Sequence, residues 1–285
     1  MKLINLLKKC IPDALFLKLQ FKKKMGYPLD LKNPKTFNEK LQWLKLYNRN
    51  PLYTILVDKE SVKKWVANKI GPQYVIPTLG VWEKFDDIDF CKLPVRFVLK
   101  CTHDSGGVIV VKDKNRLDMD AARNKISELL KKNYYWANRE WPYKNVHPRI
   151  IAEEYLEDEQ DGELRDYKFH TFDGIPHFLL VAANRHNQKG LTFDYFDMKG
   201  NHLDLHDVNV PNASGTFPHL PSKFEEMKKL SKILAEGIPH VRVDFFEVNG
   251  RIYFGEMTFY DDAGYMKATP KTWEVEWGRL IKIPV

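Results

Sequence analysis

Two apolar segments near the C-terminus constrain the fold of this 285-residue chain more than any other feature. Residues 241–246 and 251–258 are each rich in β-branched and aromatic side chains, as strands are. Between them lies Asn249-Gly250, a dipeptide that readily adopts positive φ and suits a tight hairpin turn. The pattern therefore predicts two antiparallel strands joined by a short turn.

The predicted hairpin carries charged residues inside its apolar strands. Asp244 and Glu256 come from neighbouring strands and can point to the same face, with Arg242 beside them. Ionised carboxylates among apolar residues are costly unless a metal or an opposite charge neutralises them. Two carboxylates suit Mg²⁺ and the phosphates that Mg²⁺ carries, whereas a structural ion pair with Arg242 is the alternative.

Helices and antiparallel hairpins are mixed along the rest of the chain. Asp173-Gly174 predicts a second hairpin, and residues 184–222, rich in His, Asn, Gly and Pro, read as an irregular substrate loop that includes Arg185 and His186. The mixture favours an α+β fold over a doubly wound parallel sheet. Further strands are predicted at 95–101, 108–112, 149–152, 166–172 and 177–183, and helices at 37–47, 58–69, 120–132 and 223–236.

Charge and cysteine content narrow the class of protein. The formal net charge of +7 fits an anionic partner, such as a nucleotide, an acidic polysaccharide or a membrane surface, without requiring nucleic acid. The three cysteines, Cys10, Cys91 and Cys101, form no C-x-x-C pair, which favours a reducing, cytoplasmic setting. No apolar run approaches the length of a membrane span.

The N-terminal segment, residues 3–25, alternates apolar residues with lysines and is interrupted by Pro12. One interpretation is an amphipathic helix that packs on the body and turns a lysine face to solvent. The other is a helix that rests on the anionic inner leaflet of a membrane, as a peripheral contact.

A lysine and a glycine-containing loop follow one another at residues 100–107. Lys100 ends a predicted buried strand, and the loop includes Ser105, Gly106 and Gly107. Backbone N–H groups of such a loop and an ammonium group together can hold phosphates. An ordinary hairpin turn is the alternative. His103 in the loop either contacts a phosphate or the attacking group, or is simply solvated.

Acidic residues follow or begin two other predicted strands. Glu153, Glu154 and Tyr155 could offer backbone groups to an adenine and a carboxylate to a ribose. Asp166 and Lys168 share one face of a strand, which suits contacts with ribose and with phosphate or a substrate carboxylate. The alternatives are a solvated pair of acids and a surface ion pair.

Two Asp-x-Asp patterns support a different function, that of a glycosyltransferase holding a sugar-nucleotide metal. They are Asp87-Ile-Asp89 and Asp118-Met-Asp120. Such short acidic patterns arise easily by chance, and Asp118 and Asp120 also have the character of helix caps.

Taken in order, these features resemble the ATP-grasp superfamily, and most closely its TupA-like, teichuronopeptide-biosynthesis-like branch. The resemblance covers nearly the whole chain. The segments that carry it are Asn-Pro-Lys-Thr-Phe-Asn-Glu-Lys-Leu-Gln-Trp at 33–43, Asp-Lys at 58–59, Leu-Pro-Val-Arg-Phe-Val-Leu-Lys at 93–100, Arg-Glu-Trp-Pro-Tyr at 139–143, Asp-Tyr-Lys at 166–168, Arg-Val-Asp-Phe-Phe at 242–246 and Gly-Glu-Met-Thr at 255–258.

The resemblance implies an α+β, ATP-grasp fold in which two lobes clasp ATP and Mg²⁺. It divides the chain into an N-terminal helical extension (1–50), a segment of the N-terminal lobe (51–94), a nucleotide-clasping lobe (95–152) and a C-terminal lobe with the metal and substrate sites (153–285). The implied activity is ATP-dependent ligation of a carboxylate to an amine in the biosynthesis of capsular or cell-envelope polysaccharide. The acid would be a uronic acid of a glycan or its precursor, and the amine an amino acid or amino alcohol.

The resemblance also implies roles for individual residues. ATP-grasp enzymes commonly place Asn two residues after the metal-binding glutamate, where this chain has Thr258, whose hydroxyl can bind Mg²⁺; Asp261 or Asp262 are alternative ligands. The implied catalytic residues are Arg242, Lys168 and His103; those that bind ATP are Lys59, Lys100, Ser105, Gly106, Gly107, Glu153, Glu154, Tyr155 and Asp166; and the metal ligands are Asp244, Glu256 and Thr258.

Three other functions stay open at this point. A glycosyltransferase would depend on Asp87 or Asp89 rather than on Asp244. An ATP-grasp sugar kinase would need no amine, and a non-catalytic module would bind ATP without turnover.

Overall fold

The computed structural model describes residues 9–158, 164–184, 190–215 and 217–283. The chain forms two compact units. The larger unit comprises Met1–Arg49 and Asp158–Val285, and the inserted unit comprises Asn50–Glu157. The boundaries predicted from the sequence were at residues 50, 94 and 152. All strand pairs are antiparallel within the described ranges, which confirms the predicted α+β class.

Two helices open the described part of the larger unit, α1 (Asp13–Met25) and α2 (Phe37–Tyr47). Helix α1 begins directly after Pro12, which interrupts the N-terminal segment, and buries Leu17 and Phe21. Helix α2 begins with a capping box, in which the Thr36 side chain accepts from the Glu39 backbone and the Glu39 side chain accepts from the Thr36 backbone. Residues 3–8 of the expected N-terminal amphipathic segment, 3–25, lie outside the described residues.

The inserted unit is a four-stranded sheet with helices around it. Its elements are α3 (Leu52–Val57), α4 (Ser61–Ile70), β1 (Thr78–Trp82), β2 (Phe97–Cys101), β3 (Val108–Val111), α5 (Met119–Leu130), α6 (Tyr135–Asn138) and β4 (Ile150–Glu154). The strand order is β1-β4-β2-β3. One face of the sheet packs Phe97, Leu99 and Ala152 into a core with Ala122 and Ile126 of α5. Because side chains alternate along a strand, the intervening residues Lys100 and Glu153 lie on the other face.

The rest of the larger unit is built on a five-stranded sheet. Its elements are β5 (Asp166–Phe172), β6 (Ile175–Ala183), β7 (Thr192–Asp197), β8 (His206–Asp207), α7 (Phe224–Leu234), β9 (His240–Val248), β10 (Arg251–Thr258), β11 (Ala268–Thr269) and α8 (Thr272–Leu280). The strand order is β10-β9-β5-β6-β7. Helix α7 stacks Phe224 on Phe169, and α8 stacks Trp277 on Phe178. Both predicted hairpins, β5–β6 and β9–β10, are confirmed.

The segment expected to be irregular, residues 184–222, contains strand β7 and part of a two-stranded ribbon, so that prediction was wrong in part. Tyr195 and Phe196 are buried, and their burial favours pairing of β7 with the edge of the sheet at β6. Arg185 and His186, expected to shape the acceptor site, lie outside the described residues. None of the described helices combines the length and apolar character that crossing a bilayer requires.

Candidate active site

Lys100 of the inserted unit lies against a buried carboxylate. Its Nζ donates to Oε2 of Glu153 on the adjacent strand at 2.5 Å. Lys63 of α4 makes an ion pair with the other oxygen of Glu153 and donates to the carbonyl oxygen of Ile76 at 2.6 Å. Two ammonium groups therefore converge on one carboxylate, and the cluster carries one net positive charge.

The two lysines decide the ionisation of Glu153. Burial alone would raise the pKa of this carboxyl, but the Lys100 and Lys63 charges and hydrogen bonds outweigh burial and lower it below its ordinary value. Burial lowers the pKa of Lys63, and the attraction of Glu153 offsets this only in part. Glu153 is thus an anion that holds two cations in place, a role different from the predicted contact with adenine or ribose, which stays a prediction.

The glycine loop after Lys100 has a backbone that depends on glycine. Gly106 has φ +89°, a conformation that residues with a Cβ rarely adopt. A Cβ on Gly107 would lie 2.1 Å from Oδ2 of Asp104. Lys59, the other lysine predicted to bind ATP, donates to the backbone oxygen of Asp104 and so lies directly beside the loop. Ser105 is exposed at the tip of the loop.

His103 is not the solvated loop histidine that the sequence allowed. Its side chain is buried, and Nε2 lies 3.2 Å from the carbonyl oxygen of Leu129 and 3.1 Å from that of Lys132. Because both partners are acceptors, Nε2 carries the proton and donates to the C-terminal end of α5. His103 therefore anchors the loop to that helix, and its predicted catalytic contact stays a prediction.

Glu154 and Tyr155 lie apart from the Lys100 face. Glu154 follows Glu153 in the strand and so points to the opposite side of the sheet. Both residues line an open cavity of about 870 Å³, in which the Arg96 guanidinium lies 5.3 Å from the centre of the Tyr155 ring. The structure thus separates Glu153 from the two residues with which it was grouped.

The second cluster, in the larger unit, is centred on Asp244 of β9. Asp244 pairs directly with Lys168 on one neighbouring strand and with Glu256 on the other. Arg242 Nε and Nη2 donate to Oδ1 and Oδ2 of Asp244, both at 2.8 Å, and Lys168 Nζ donates to Oδ2 at 2.6 Å. Asp166 adds a weaker contact at 3.7 Å from Lys168 Nζ. A surface ion pair of Asp166 with Lys168 was the alternative to a binding role, but Lys168 is buried.

The charges around Asp244 overcome the cost of its burial. Burial alone would raise its pKa, yet the attraction of Arg242 and Lys168 lowers the pKa to about 2. Burial also opposes the charge of Arg242, but the carboxylates of Asp244 and Asp261 raise the Arg242 pKa well above its usual value. Both groups are therefore charged throughout the physiological pH range.

Glu256 and Thr258 form the accessible edge of this cluster. The Glu256 side chain is 45% exposed, and its Oε1 lies 3.4 Å from Arg242 Nη2. The Thr258 hydroxyl accepts from Arg242 Nη2 at 3.1 Å and donates to Glu256 Oε1 at 3.3 Å. Gly255 forms a bulge between Phe254 and Glu256, and a Cβ on Gly255 would lie 3.1 Å from the Asp244 carbonyl oxygen.

Asp261, which the sequence offered only as an alternative metal ligand, is an ion-pair partner of Arg242 in the structure. Its other oxygen lies 3.6 Å from Nε2 of His170, a fully buried residue that the sequence analysis did not identify. Burial lowers the pKa of His170 to about 4, so this ring is neutral at neutral pH. Period-two alternation from Lys168 was the signal that could have placed His170 on the same face.

Helix α2 holds the loop that carries Asp261. Asn38 donates to the carbonyl oxygen of Met266 at 2.9 Å, Gln42 donates to that of Gly264 at 2.7 Å, and Lys45 donates to that of Ala263 at 2.7 Å. These three polar side chains, spaced at i, i+4 and i+7, are buried. The loop they hold has positive φ at two non-glycine residues, Asp262 (43°) and Ala263 (51°). Helix α2 thus stabilises a strained backbone next to Arg242.

The larger-unit cluster fits a hard divalent cation in its chemistry, because Asp244, Glu256 and Thr258 offer only oxygen donors. The geometry of the cluster, however, is not that of a preformed metal site. Asp244 already accepts three hydrogen bonds, and in the described part of the chain no three acidic, histidine or cysteine side chains are grouped as a preformed metal cage. Glu256 is therefore the more accessible donor, and Asp244 could reach a cation by exchanging its contact with Lys168.

The two Asp-x-Asp patterns have structural roles. Asp118 caps α5 by accepting from the backbone of Ala121 at 2.9 Å, as predicted. Asp120 pairs with Arg123 at 2.9 Å, and Asp89 accepts from the backbone of Cys91 at 3.1 Å. These contacts give three of the four aspartates a structural partner.

A protein-family model that covers most of the chain places it in the ATP-grasp class. The sequence model described as TupA-like ATPgrasp matches residues 39–282. The chain belongs to this family. A comparison with curated proteins found no match.

Comparison with solved structures found weak similarity at low sequence identity. A D-alanine–D-alanine ligase from Bacillus anthracis, complexed with ATP, is 16% identical with a TM-score of 0.42, and the match covers 72% of this chain and 55% of that one. An L-amino acid ligase from Bacillus licheniformis is 14% identical with a TM-score of 0.47, covering 89% of this chain and 56% of that one. This chain thus spans little more than half the length of either enzyme, and at these scores neither likeness bears on activity.

Proposed function

We propose that this protein is an ATP-dependent carboxylate–amine ligase that forms an amide on a uronic acid of a capsular or cell-envelope polysaccharide or its precursor. One observation carries the proposal. In a chain of the TupA-like ATP-grasp family, Arg242, Asp244 and Glu256 lie in contact on two directly paired strands. A guanidinium beside two carboxylates can hold transferring phosphoryl oxygens and their cation together.

The inserted unit supplies the proposed contacts with ATP. Lys100 and Lys59 hold phosphate oxygens, and the loop of Ser105, Gly106 and Gly107 adds backbone N–H groups. What supports this is a converging positive cluster with a glycine-dependent loop beside it. Lys63 joins Lys100 in the same cluster, so an incoming phosphate would compete with the Glu153 carboxylate for two ammonium groups.

The larger unit supplies the proposed contacts with the reacting groups. Glu256, Asp244 and Thr258 would hold Mg²⁺, which when bound neutralises phosphate charge and orients the phosphates. Arg242 stabilises the negative charge of the transferring phosphoryl group. Lys168 binds the substrate carboxylate or a phosphate, in exchange for its contact with Asp244.

The proposed reaction has two balanced steps. A carboxylate oxygen of the uronic acid attacks the γ-phosphorus of ATP, the bond from that phosphorus to the bridging oxygen breaks, and ADP leaves. A neutral amine then attacks the carbonyl carbon of the acylphosphate, phosphate departs with the former carboxylate oxygen, and the nitrogen loses a proton. Positioning and charge neutralisation provide most of the catalysis in such a sequence.

The substrate class rests on the family and on charge. A net charge of +7 favours encounter with an acidic glycan, and it favours nucleotides equally. The amine is an amino acid or a small amino alcohol in this proposal.

The experiment that tests the proposal measures ADP release over a panel of uronic-acid glycans, each with and without a panel of amines. We expect release only when both an acid and an amine are present, and Glu256→Gln should reduce it at least about 100-fold. The matched control is Glu276→Gln, the same change at an exposed glutamate of α8. Amine-independent phosphosugar would indicate a kinase, ATP binding without turnover a non-catalytic module, and sugar-nucleotide binding without ATP binding a glycosyltransferase.

A further inference from the structure

The outward face of helix α1 exposes two leucines. Leu15 is 50% exposed and Leu19 is 59% exposed, and the two lie one turn apart on the same side of the helix. The opposite side of α1 buries Leu17 and Phe21, which pack against Leu29 and Tyr265. The helix is therefore anchored by one apolar side and presents a second, smaller apolar side to solvent.

Three lysines flank the exposed leucines. Lys18 lies beside them on one side of the helix and Lys23 on the other, with Lys22 between, as the 100° advance per residue dictates. All three are exposed, and no acidic residue of the described chain forms an ion pair with them. The acid of α1, Asp13, lies near its start and pairs with Arg49 at 3.0 Å.

We propose that this face of α1, formed by Leu15, Lys18, Leu19, Lys22 and Lys23, docks on an anionic lipid surface. The leucines enter the boundary between headgroups and acyl chains, and the lysines extend their ammonium groups to the lipid phosphates. At 13 residues, α1 is about 20 Å long and lies along the surface rather than across it. The proposal is independent of the ATP chemistry.

The composition of the face favours lipid over other occupants. A stable dimer buries about 800 Å² on each partner, far more than two leucines provide. Two copies meeting through the same face would also bring their lysines together. A soluble acidic polymer would use the lysines but leave the leucines exposed. Only a surface that is anionic outside and apolar beneath uses both.

Co-sedimentation of the full chain with vesicles tests this proposal. The probes are vesicles of phosphatidylcholine alone and of phosphatidylcholine with about one-third phosphatidylglycerol. Because each lysine near an anionic surface contributes about five-fold in partitioning, we expect about 100-fold tighter binding to the anionic vesicles. Leu15→Ser with Leu19→Ser should weaken that binding about ten-fold, and exchange of the three lysines for glutamate should abolish it.

Matched controls lie on helix α7 of the same unit and at Lys223, the residue directly before it. Ile233→Ser removes another exposed apolar side chain, and exchange of Lys223, Lys229 and Lys232 for glutamate makes the same change in net charge. These variants should bind vesicles like wild type when binding is compared at high salt, where the effect of the changed net charge is screened. The proposal is overturned if neither vesicle binds, if the α1 and α7 variants lose binding equally, or if the leucine substitutions alter only self-association, measured by analytical ultracentrifugation.

Discussion

Arg242 donates two parallel hydrogen bonds to Asp244, from Nε to Oδ1 and from Nη2 to Oδ2, both 2.8 Å long. The two residues lie two positions apart on β9, and both side chains are almost completely buried. A bidentate pair of this kind is geometrically fixed, so Arg242 cannot reorient without leaving a buried charge. The position of the guanidinium, which the proposed chemistry requires, is thus set by the fold before any ligand binds.

Lys63 should contribute to ATP binding. Lys63→Met removes one of the two ammonium groups that converge on Glu153, and a hydrogen bond to a charged group is worth about 1.5–3 kcal/mol. We therefore expect the dissociation constant for ATP, measured by equilibrium titration, to rise about 10- to 150-fold. Lys64→Met changes the exposed neighbour on the same helix and should leave it unchanged. Wild-type affinity in Lys63→Met would show that this lysine only positions Glu153.

Helix α2 should be essential to the stability of the larger unit. Gln42→Leu leaves the carbonyl oxygen of Gly264 without its donor, and an unsatisfied buried polar group costs about 1–3 kcal/mol. Lys45→Met removes one of the two donors to the carbonyl oxygen of Ala263 and the donor to Gln42 Oε1. Urea unfolding should show losses of about this size for each variant, whereas Lys229→Met, at an exposed site, should lose less than about 0.5 kcal/mol. Losses in Gln42→Leu as small as in that control would contradict the account.

The hydroxyl group of Thr258 should matter more for ADP formation than the shape of the side chain. Thr258→Val preserves the volume but removes the contacts with Arg242 Nη2 and Glu256 Oε1. We expect ADP formation to fall about ten-fold, because one charge-assisted hydrogen bond beside the guanidinium is lost. Thr258→Asn restores a polar oxygen and should retain more activity than the valine variant. Equal rates in the two variants would exclude a role for the oxygen at this position.

Two buried histidines should make stability depend on pH. Burial lowers the pKa of His170 to about 4 and that of His240 to about 3, from 6.5. The unfolded chain therefore takes up protons near pH 6.5 while the folded protein does not, so stability is complete above that pH and is lost as the pH falls toward 4. The loss is on the order of 3 kcal/mol per histidine across this window.

Urea unfolding at a series of pH values measures this loss. His240→Asn keeps a donor for the carbonyl oxygen of Thr171, which His240 Nδ1 contacts at 2.9 Å, but it does not titrate. The variant should show a shallower fall in stability below pH 6.5 than wild type, whatever its stability at neutral pH. An unchanged slope would show that His240 is not the group responsible.

The sequence predicts the hairpins well because their signals are local. Asn249-Gly250 and Asp173-Gly174 each fix a turn, and apolar runs on both sides fix the strands. Strand β7 was missed because it lies within a segment rich in His, Asn and Gly, although its own residues, Thr-Phe-Asp-Tyr-Phe-Asp, include the aromatic and β-branched types that favour strands. Its pairing with β6 and the burial of Tyr195 and Phe196 stabilise it, and these tertiary contacts are not visible in the local pattern.

The charged clusters are predictable only in part, for a similar reason. Arg242, Asp244 and Glu256 stand out because they interrupt apolar strands. Gln42 and Lys45 lie in a helix where polar residues are ordinarily solvated, so their burial could not be read from the pattern. The partners of Asp261 also depend on a backbone with positive φ at Asp262 and Ala263, and neither aspartate nor alanine predicts positive φ from the sequence.

The fate of a carboxylate oxygen tests the central claim most directly. The acid substrate that supports ADP release in the panel is labelled with ¹⁸O in its carboxylate. The enzyme converts it in the presence of ATP and the amine, and the phosphate formed is analysed by mass spectrometry. A ligase acting through an acylphosphate transfers one labelled oxygen to each phosphate, and we predict that result together with equal amounts of ADP, phosphate and amide. Phosphate without label, or AMP and pyrophosphate as the products, would contradict the proposed function.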